Sequence, residues 1–158
     1  MADLALRVSA RVPRPGDVRL LERAERRCFT DPWPAHFFMS EMLAPGRFHR
    51  LLVNETGDLL AYLFCAWQYL DLHVLKVACL PEHRRGGLGR RLMLMAEDHA
   101  RASGGDTITL EVRTNNIPAI ALYDALGYRR EGRRVRYYHD GEDALVMTKR
   151  VASEDHSV

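Results

Sequence analysis

Cysteine is scarce in this 158-residue chain, with three residues, Cys28, Cys65 and Cys79. They are widely spaced and form no Cys-x-x-Cys pair, which favours free thiols in a reducing compartment over a disulfide framework or a zinc ligand set. The seven histidines are scattered without metal-ligand spacing, so no metal is expected. Charge of one sign is lacking too: a net charge of +2 is too small for a dedicated nucleic-acid binder, and no direct nucleic-acid contact is expected. Long apolar runs are missing. The longest nearly apolar run, residues 59–67, is far too short to cross a bilayer. Residues 1–8 lack the basic start and long apolar core of a secretory leader. There is no internal repeat, low-complexity tract or linker. These absences predict a cytoplasmic protein away from membranes, a monomer or weak dimer, with one domain over residues 1–150 and a polar tail over 151–158.

What is present suffices for a core: 47% of residues are hydrophobic and 28% charged, ordinary proportions at this length. Residues 4–12 read as a first strand, ended by Pro13 and Pro15. Asp17 can cap a helix over 18–28, where Val18, Leu21, Ala24 and Cys28 recur at helical spacing. Two prolines around Trp33 interrupt that pattern. Phe29 and Trp33 read equally well as core packing under a loop and as a wall of a substrate groove. A short helix follows over 35–43, closed by Pro45 and Gly46. Residues 47–54 and 59–69 read as antiparallel strands about a turn at 55–58, and 71–80 as the next strand.

Pro81 and a basic, glycine-rich turn then lead into a helix to about Ser103, on which Leu88, Leu92, Met95, Ala96 and His99 share a face. Gly104 and Gly105 end it. Residues 106–113 alternate strictly, with Ile108, Leu110 and Val112 on one side and Thr109, Glu111 and Arg113 on the other. Asn115 or Asn116 caps a helix carrying Pro118 in its first turn and ending near Gly127. Residues 128–138 and 143–148 close the chain as two strands. The order β-α-α-β-β-β-α-β-α-β-β describes an α/β fold, a mixed sheet with helices on its faces.

The glycine turn after residue 80 is the strongest chemical signal. Strand, glycine turn and helix start aim backbone N–H groups and partial positive charge at an anion, and arginines add full charges. No Gly-Lys-Ser/Thr follows, so it is not a Walker A loop, and Leu92 stands where a Gly-x-Gly-x-x-Gly loop needs its third glycine. The turn does match Arg-x-x-Gly-x-Gly, with Arg84, Gly87 and Gly89 in the defining positions. In this it resembles the acyl-CoA pyrophosphate loop of the GCN5-related N-acetyltransferase (GNAT) superfamily. Further blocks resemble that superfamily's ribosomal-protein alanine N-acetyltransferase (RimI) branch. These are Leu-Glu-Val-Arg-Thr-Asn-Asn over 110–116, Ala-Ile-Ala-Leu-Tyr over 119–123, and Leu-Gly-Tyr over 126–128. Arg-Tyr-Tyr over 136–138, Asp-Gly-Glu-Asp-Ala over 140–144, and Cys28-Phe29 with Pro32-Trp33 agree as well. The resemblance covers residues 17–149 in family order.

What the resemblance implies is a GNAT fold, a mostly antiparallel sheet in a three-layer α/β/α sandwich, and acetyl-CoA as co-substrate. The acceptor would be a protein N-terminus, an alanine of a small-subunit ribosomal protein. Acetyl transfer to an α-amino group with a pKa near 8 benefits from a base, and the departing thiolate from an acid. In the family these roles fall to the residues matching Glu111 and Tyr123. Backbone groups of Val77, Ala78 and Cys79 would hold the pantetheine arm. The loop of Arg84, Arg85, Gly86, Gly87, Leu88, Gly89 and Arg90 would hold the pyrophosphate, and Asn116 would contact the cofactor. Glu111 could instead pair with Arg113 or another arginine, and Tyr123 could be a packed core residue. Cys79 departs from the more usual valine and raises an acyl-cysteine route, for which no histidine is evidently placed. The arginines at 129, 130, 133, 134 and 136 read as a solvated strand surface, or as an attraction for the CoA 3′-phosphate or an acidic partner. A small-molecule or lysine acetyltransferase and a non-catalytic CoA-binding or ribosome-associated module are the alternatives.

Overall fold

A computed structural model describes residues 7–152; positions 4–6 of the strand predicted over 4–12, and positions 153–158 of the tail, lie outside the described residues. The elements are β1 (Ser9–Arg11), α1 (Val18–Cys28), α2 (Ala35–Leu43), β2 (Arg47–Val53), β3 (Leu59–Gln68), β4 (Asp71–Cys79), α3 (Leu88–Ala102), β5 (Thr107–Arg113), α4 (Ile117–Ala125), β6 (Arg129–Arg134) and β7 (Ala144–Arg150). Short 3-10 turns at Pro15–Asp17 and Pro81–His83 precede α1 and lead toward α3. The order of elements agrees with the sequence reading.

One seven-stranded sheet runs β1-β2-β3-β4-β5-β7-β6. It is mixed: β4 pairs β5 in parallel, from Asp71 opposite Thr107 to Val74 opposite Leu110, while β1–β2, β5–β7 and β6–β7 are antiparallel. Parallel neighbours need a crossover, and α3 supplies it between β4 and β5. β7 inserts between β5 and β6 because its alternation fits β5 along seven residue pairs, Thr107 opposite Arg150 through Arg113 opposite Ala144. By its contacts the chain forms two compact units. One comprises the chain through Cys65 together with Lys76–Met93, and the other comprises Ala66–Leu75 with the chain from Leu94 onward.

Several local expectations need correction. Asp17 does not cap α1 with its side chain. Its carboxylate accepts from the Arg11 guanidinium (2.7 and 2.8 Å) and the Arg14 N–H (2.8 Å) instead. The Arg11 contact holds this carboxyl below its ordinary range. On α3 the buried face is Leu92, Met93, Ala96, Glu97 and Ala100, rotated from the predicted one so that Met95 and His99 are only half-buried. β6 stops at Arg134, short of Tyr138, since Arg136 takes a left-handed φ of +50° and gives its N–H to the Asp143 carboxylate (2.9 Å). For α4 the cap is Asn116, whose side-chain oxygen accepts from the Ala119 N–H (3.3 Å). Gly104 ends α3 at φ +78°, and at Gly105 a Cβ would lie 2.7 Å from the Trp67 ring, so no larger residue fits there without a shift.

Candidate active site

In the first unit, the chain leaves β4 through the Pro81–His83 turn into the glycine loop. Arg85 (φ +68°) and Gly87 (φ +80°) are left-handed on either side of Gly86. Such alternation brings successive N–H groups onto a concave surface that suits an anion. Arg85 and Arg90 are exposed beside it. Arg84 instead turns back, its Nε donating to the Cys79 carbonyl (3.1 Å). The turn before the loop is fixed by Arg27, which grips Glu82 with two bonds (2.9 and 2.6 Å) and holds that carboxyl at about 2. The Cys79 thiol donates to the His83 carbonyl (3.1 Å), and burial pushes its pKa up. A thiol kept protonated is a poor nucleophile, which argues against the acyl-cysteine route.

The same unit buries a carboxylate. Glu25 on α1 is fully buried and accepts from the Tyr62 hydroxyl (2.7 Å), the Trp33 N–H (2.9 Å) and the Lys76 ammonium. Lys76 lies against the rings of Phe29 and Trp33, 3.9 and 4.7 Å from their centroids. Burial lowers its pKa and Glu25 opposes that shift. Trp33 also packs on Phe38 (5.3 Å between centroids) and Phe64 (6.0 Å). Trp33 is therefore partly core and, being half-buried, partly available.

The second unit holds Glu111 and Tyr123. The burial of β5 alternates as the sequence predicts, with Ile108, Leu110 and Val112 buried and Glu111 on the opposite face. The Glu111 side chain is 7% exposed, with Oε2 2.6 Å from His73 Nε2 and Oε1 3.4 Å from Arg134 Nε. Its charge, after burial, helps raise the Tyr137 phenol. Arg113 does not pair with Glu111. It bonds both oxygens of Asp140 (3.0 and 2.9 Å) and Glu142 (2.9 Å), and stacks 4.0 Å from the Tyr138 ring centroid. Arg113 thereby ties the β6–β7 loop to the end of β5. Tyr123 on α4 is buried edge-on to Tyr128 (5.9 Å), and burial raises its phenol above the ordinary range. A phenol in that state keeps its proton at neutral pH. Asn116 uses its side-chain oxygen as the helix cap.

Sequence reasoning missed His73, Glu25 and Lys76. The parity of β4 puts His73 on the side of Asp71, away from Leu72 and Val74. That β4 neighbours β5, so that His73 meets Glu111, is a matter of sheet order and has no local signal. Four arginines of the run, at 129, 130, 133 and 134, lie on the exposed strand β6, and Arg136 follows it. Arg134 nonetheless reaches Glu111, while Arg130 and Arg133 pair with Asp124 and Asp143.

The acetyltransferase (GNAT) family matches residues 18–128. The chain is 35% identical over 127 residues to the N-alpha-acetyltransferase RimI of Mycobacterium tuberculosis, covering 75% of this chain and 76% of that protein. It is 32% identical over 126 residues to the ribosomal protein bS18-alanine N-acetyltransferase of Escherichia coli K12, covering 78% and 84%. The crystal structure of the ribosomal-protein-S18-alanine N-acetyltransferase from Escherichia coli superposes with a TM-score of 0.86 at 27% identity, over 96% of this chain and 98% of that one. Fold, glycine loop, sequence matches and structural likeness converge: this chain belongs to the acetyltransferase (GNAT) family and, within it, to the RimI branch of acetyl-CoA-dependent N-acetyltransferases.

Proposed function

We propose that this enzyme acetylates the α-amino group of a protein N-terminal alanine, the acceptor being a small-subunit ribosomal protein. The observation that carries the substrate assignment is the likeness to relatives that bear this activity in their names, over more than three quarters of both chains in sequence and nearly all of both in structure. Acetyl-CoA supplies the acetyl group as a thioester. The exposed Arg85 and Arg90, with the N–H groups of the glycine loop, would hold its pyrophosphate, and backbone groups of Val77, Ala78 and Cys79 would hold its pantetheine arm. Asn116 would contact the cofactor beside its capping role.

Glu111 serves as the base that takes a proton from the incoming amine, and Tyr123 as the acid that protonates the departing thiolate. Amine nitrogen bonds to the acetyl carbon, the carbon–sulfur bond breaks, and the products are an amide and a thiol. Support for Glu111 comes from its low exposure and from His73, which orients one of its oxygens. Burial keeps the Tyr123 phenol protonated, the form in which an acid must begin.

Thiol release from acetyl-CoA, with mass spectrometry of the peptide, tests the reading. An alanine-starting peptide with a free N-terminus is expected to gain one acetyl group, and the same peptide blocked at its N-terminus none. Acetylation of a lysine in the blocked peptide would overturn the assignment. Tyr123→Phe is expected to slow release about a hundredfold, and full activity would remove Tyr123 as the acid.

A further inference from the structure

The loop over residues 29–33 is held in an unusual way. Thr30 and Asp31 in its middle are exposed, yet both ends are fixed by one ion pair. Glu25 takes the backbone N–H of Trp33, and Lys76 presses its ammonium to the rings of Phe29 (3.9 Å) and Trp33 (4.7 Å). A carboxylate with two aromatic faces is the chemistry that recognises an alkylammonium, and here the protein supplies its own. Of the 23 lysine and arginine side chains, only Lys76 and Lys149 are lysine. Lys149 makes the corresponding pair with buried Glu97 (2.7 Å). A compact ammonium on a flexible stem fits between two rings where a planar guanidinium needs more room.

Lys76 also immediately precedes Val77, the first of the residues assigned to the pantetheine arm. One side chain thus connects the strand assigned to the cofactor with an aromatic loop whose middle is exposed. A clamped loop with exposed residues between its fixed ends is suited to recognition.

We infer that Lys76 is a positioning residue for the protein substrate: paired with Glu25, it braces Phe29 and Trp33 so that the 29–33 loop forms a preset wall of the peptide site. This rests on the proposed N-terminal acetyltransferase reading. A plain core strut would affect stability and both substrates alike, whereas a brace for the peptide wall acts on the peptide alone.

The test uses the full chain carrying Glu25→Gln with Lys76→Met, which removes both charges and leaves no buried ion unpaired. Steady-state kinetics are read well below the melting temperature, with peptide and acetyl-CoA varied in turn. The expected result is a peptide KM raised about tenfold while the acetyl-CoA KM stays within about twofold. Lys76→Ala provides a second arm, in which added n-propylammonium is expected to restore the peptide KM. Unchanged peptide KM in the double variant, or parallel changes in both KM values without rescue, would overturn the inference. Failure of the wild-type protein to acetylate a free N-terminus counts instead against the proposed function. In that event the brace is read from fluorine NMR of protein carrying fluorotryptophan, where the Trp33 resonance is expected to move in the double variant and a static resonance would overturn it.

Discussion

Glu25 and Glu111 are both carboxylates sheltered from water, and the contrast between them separates a brace from the proposed base. Glu25 is fully buried, and its partners are an ammonium, a phenol and a backbone N–H. These three donors take up most of the carboxylate's acceptor sites and hold it in place. Glu97 repeats this arrangement with Lys149 (2.7 Å) and the Tyr128 hydroxyl (3.2 Å). Glu111 faces His73 at 2.6 Å and Arg134 at 3.4 Å. Only the imidazole is close, and the guanidinium stands farther off, so Glu111 is gripped by fewer near donors than Glu25. Burial alone therefore does not mark a functional acid. The number and closeness of its partners must be read with it.

The contrast can be broken from either side. The largest effect is expected at Glu111: Glu111→Gln should lower kcat by about 10²–10⁴ while calorimetric acetyl-CoA binding persists, and an unchanged rate would remove Glu111 as the base. At Glu25 the loss should fall on stability. Glu25→Ala leaves the Lys76 ammonium buried without its counter-charge, which costs about 3–5 kcal/mol in urea unfolding. A cost near zero would mean that Glu25 does not hold Lys76 in place. His73→Ala should lower kcat about tenfold with little change in stability, since it removes an orienting contact and leaves Glu111 in place. Equal activity across the pH range would rule His73 out of the reaction.

The smallest effect is one of pH. Burial raises the phenols of Tyr62 and Tyr123 and pushes Tyr138 up to about 12. Above about pH 10 the unfolded chain loses phenolic protons that the folded chain keeps, so stability is full below that pH and falls as pH rises. Denaturant titrations should show a plateau that declines only in this alkaline range. Tyrosinate absorbance should appear together with unfolding, and ionisation of these phenols in the folded protein would contradict the burial argument.

Much of this was legible in the chain. α1 and α2 have the bounds read from the spacing of Leu21 and Ala24 and from the prolines at 32, 34 and 45, because helix periodicity and breakers are local properties. The alternation of β5 assigned Glu111 to its face for the same reason. Other features were not legible because a stronger partner came from elsewhere. Asp17 could cap α1 by sequence, but Arg11 offers a charged fork that a lone N–H cannot match. The strand predicted to reach Tyr138 ends at Arg134, where Asp143 draws the Arg136 N–H out of the ladder.

By itself the sequence determined the order of elements, the glycine loop with its arginines, and the family, all of which depend on residues close together in the chain. Tertiary structure alone decided which side chains meet. His73 reaches Glu111 across 38 positions, and Lys76 reaches Glu25 across 51. The physical reason is that strand parity fixes a face but not a neighbour. Neighbours are set by sheet order, which puts β4 beside β5 and β7 between β5 and β6. A carboxylate's role follows from the neighbours so assigned, and no pattern within a single strand carries that information.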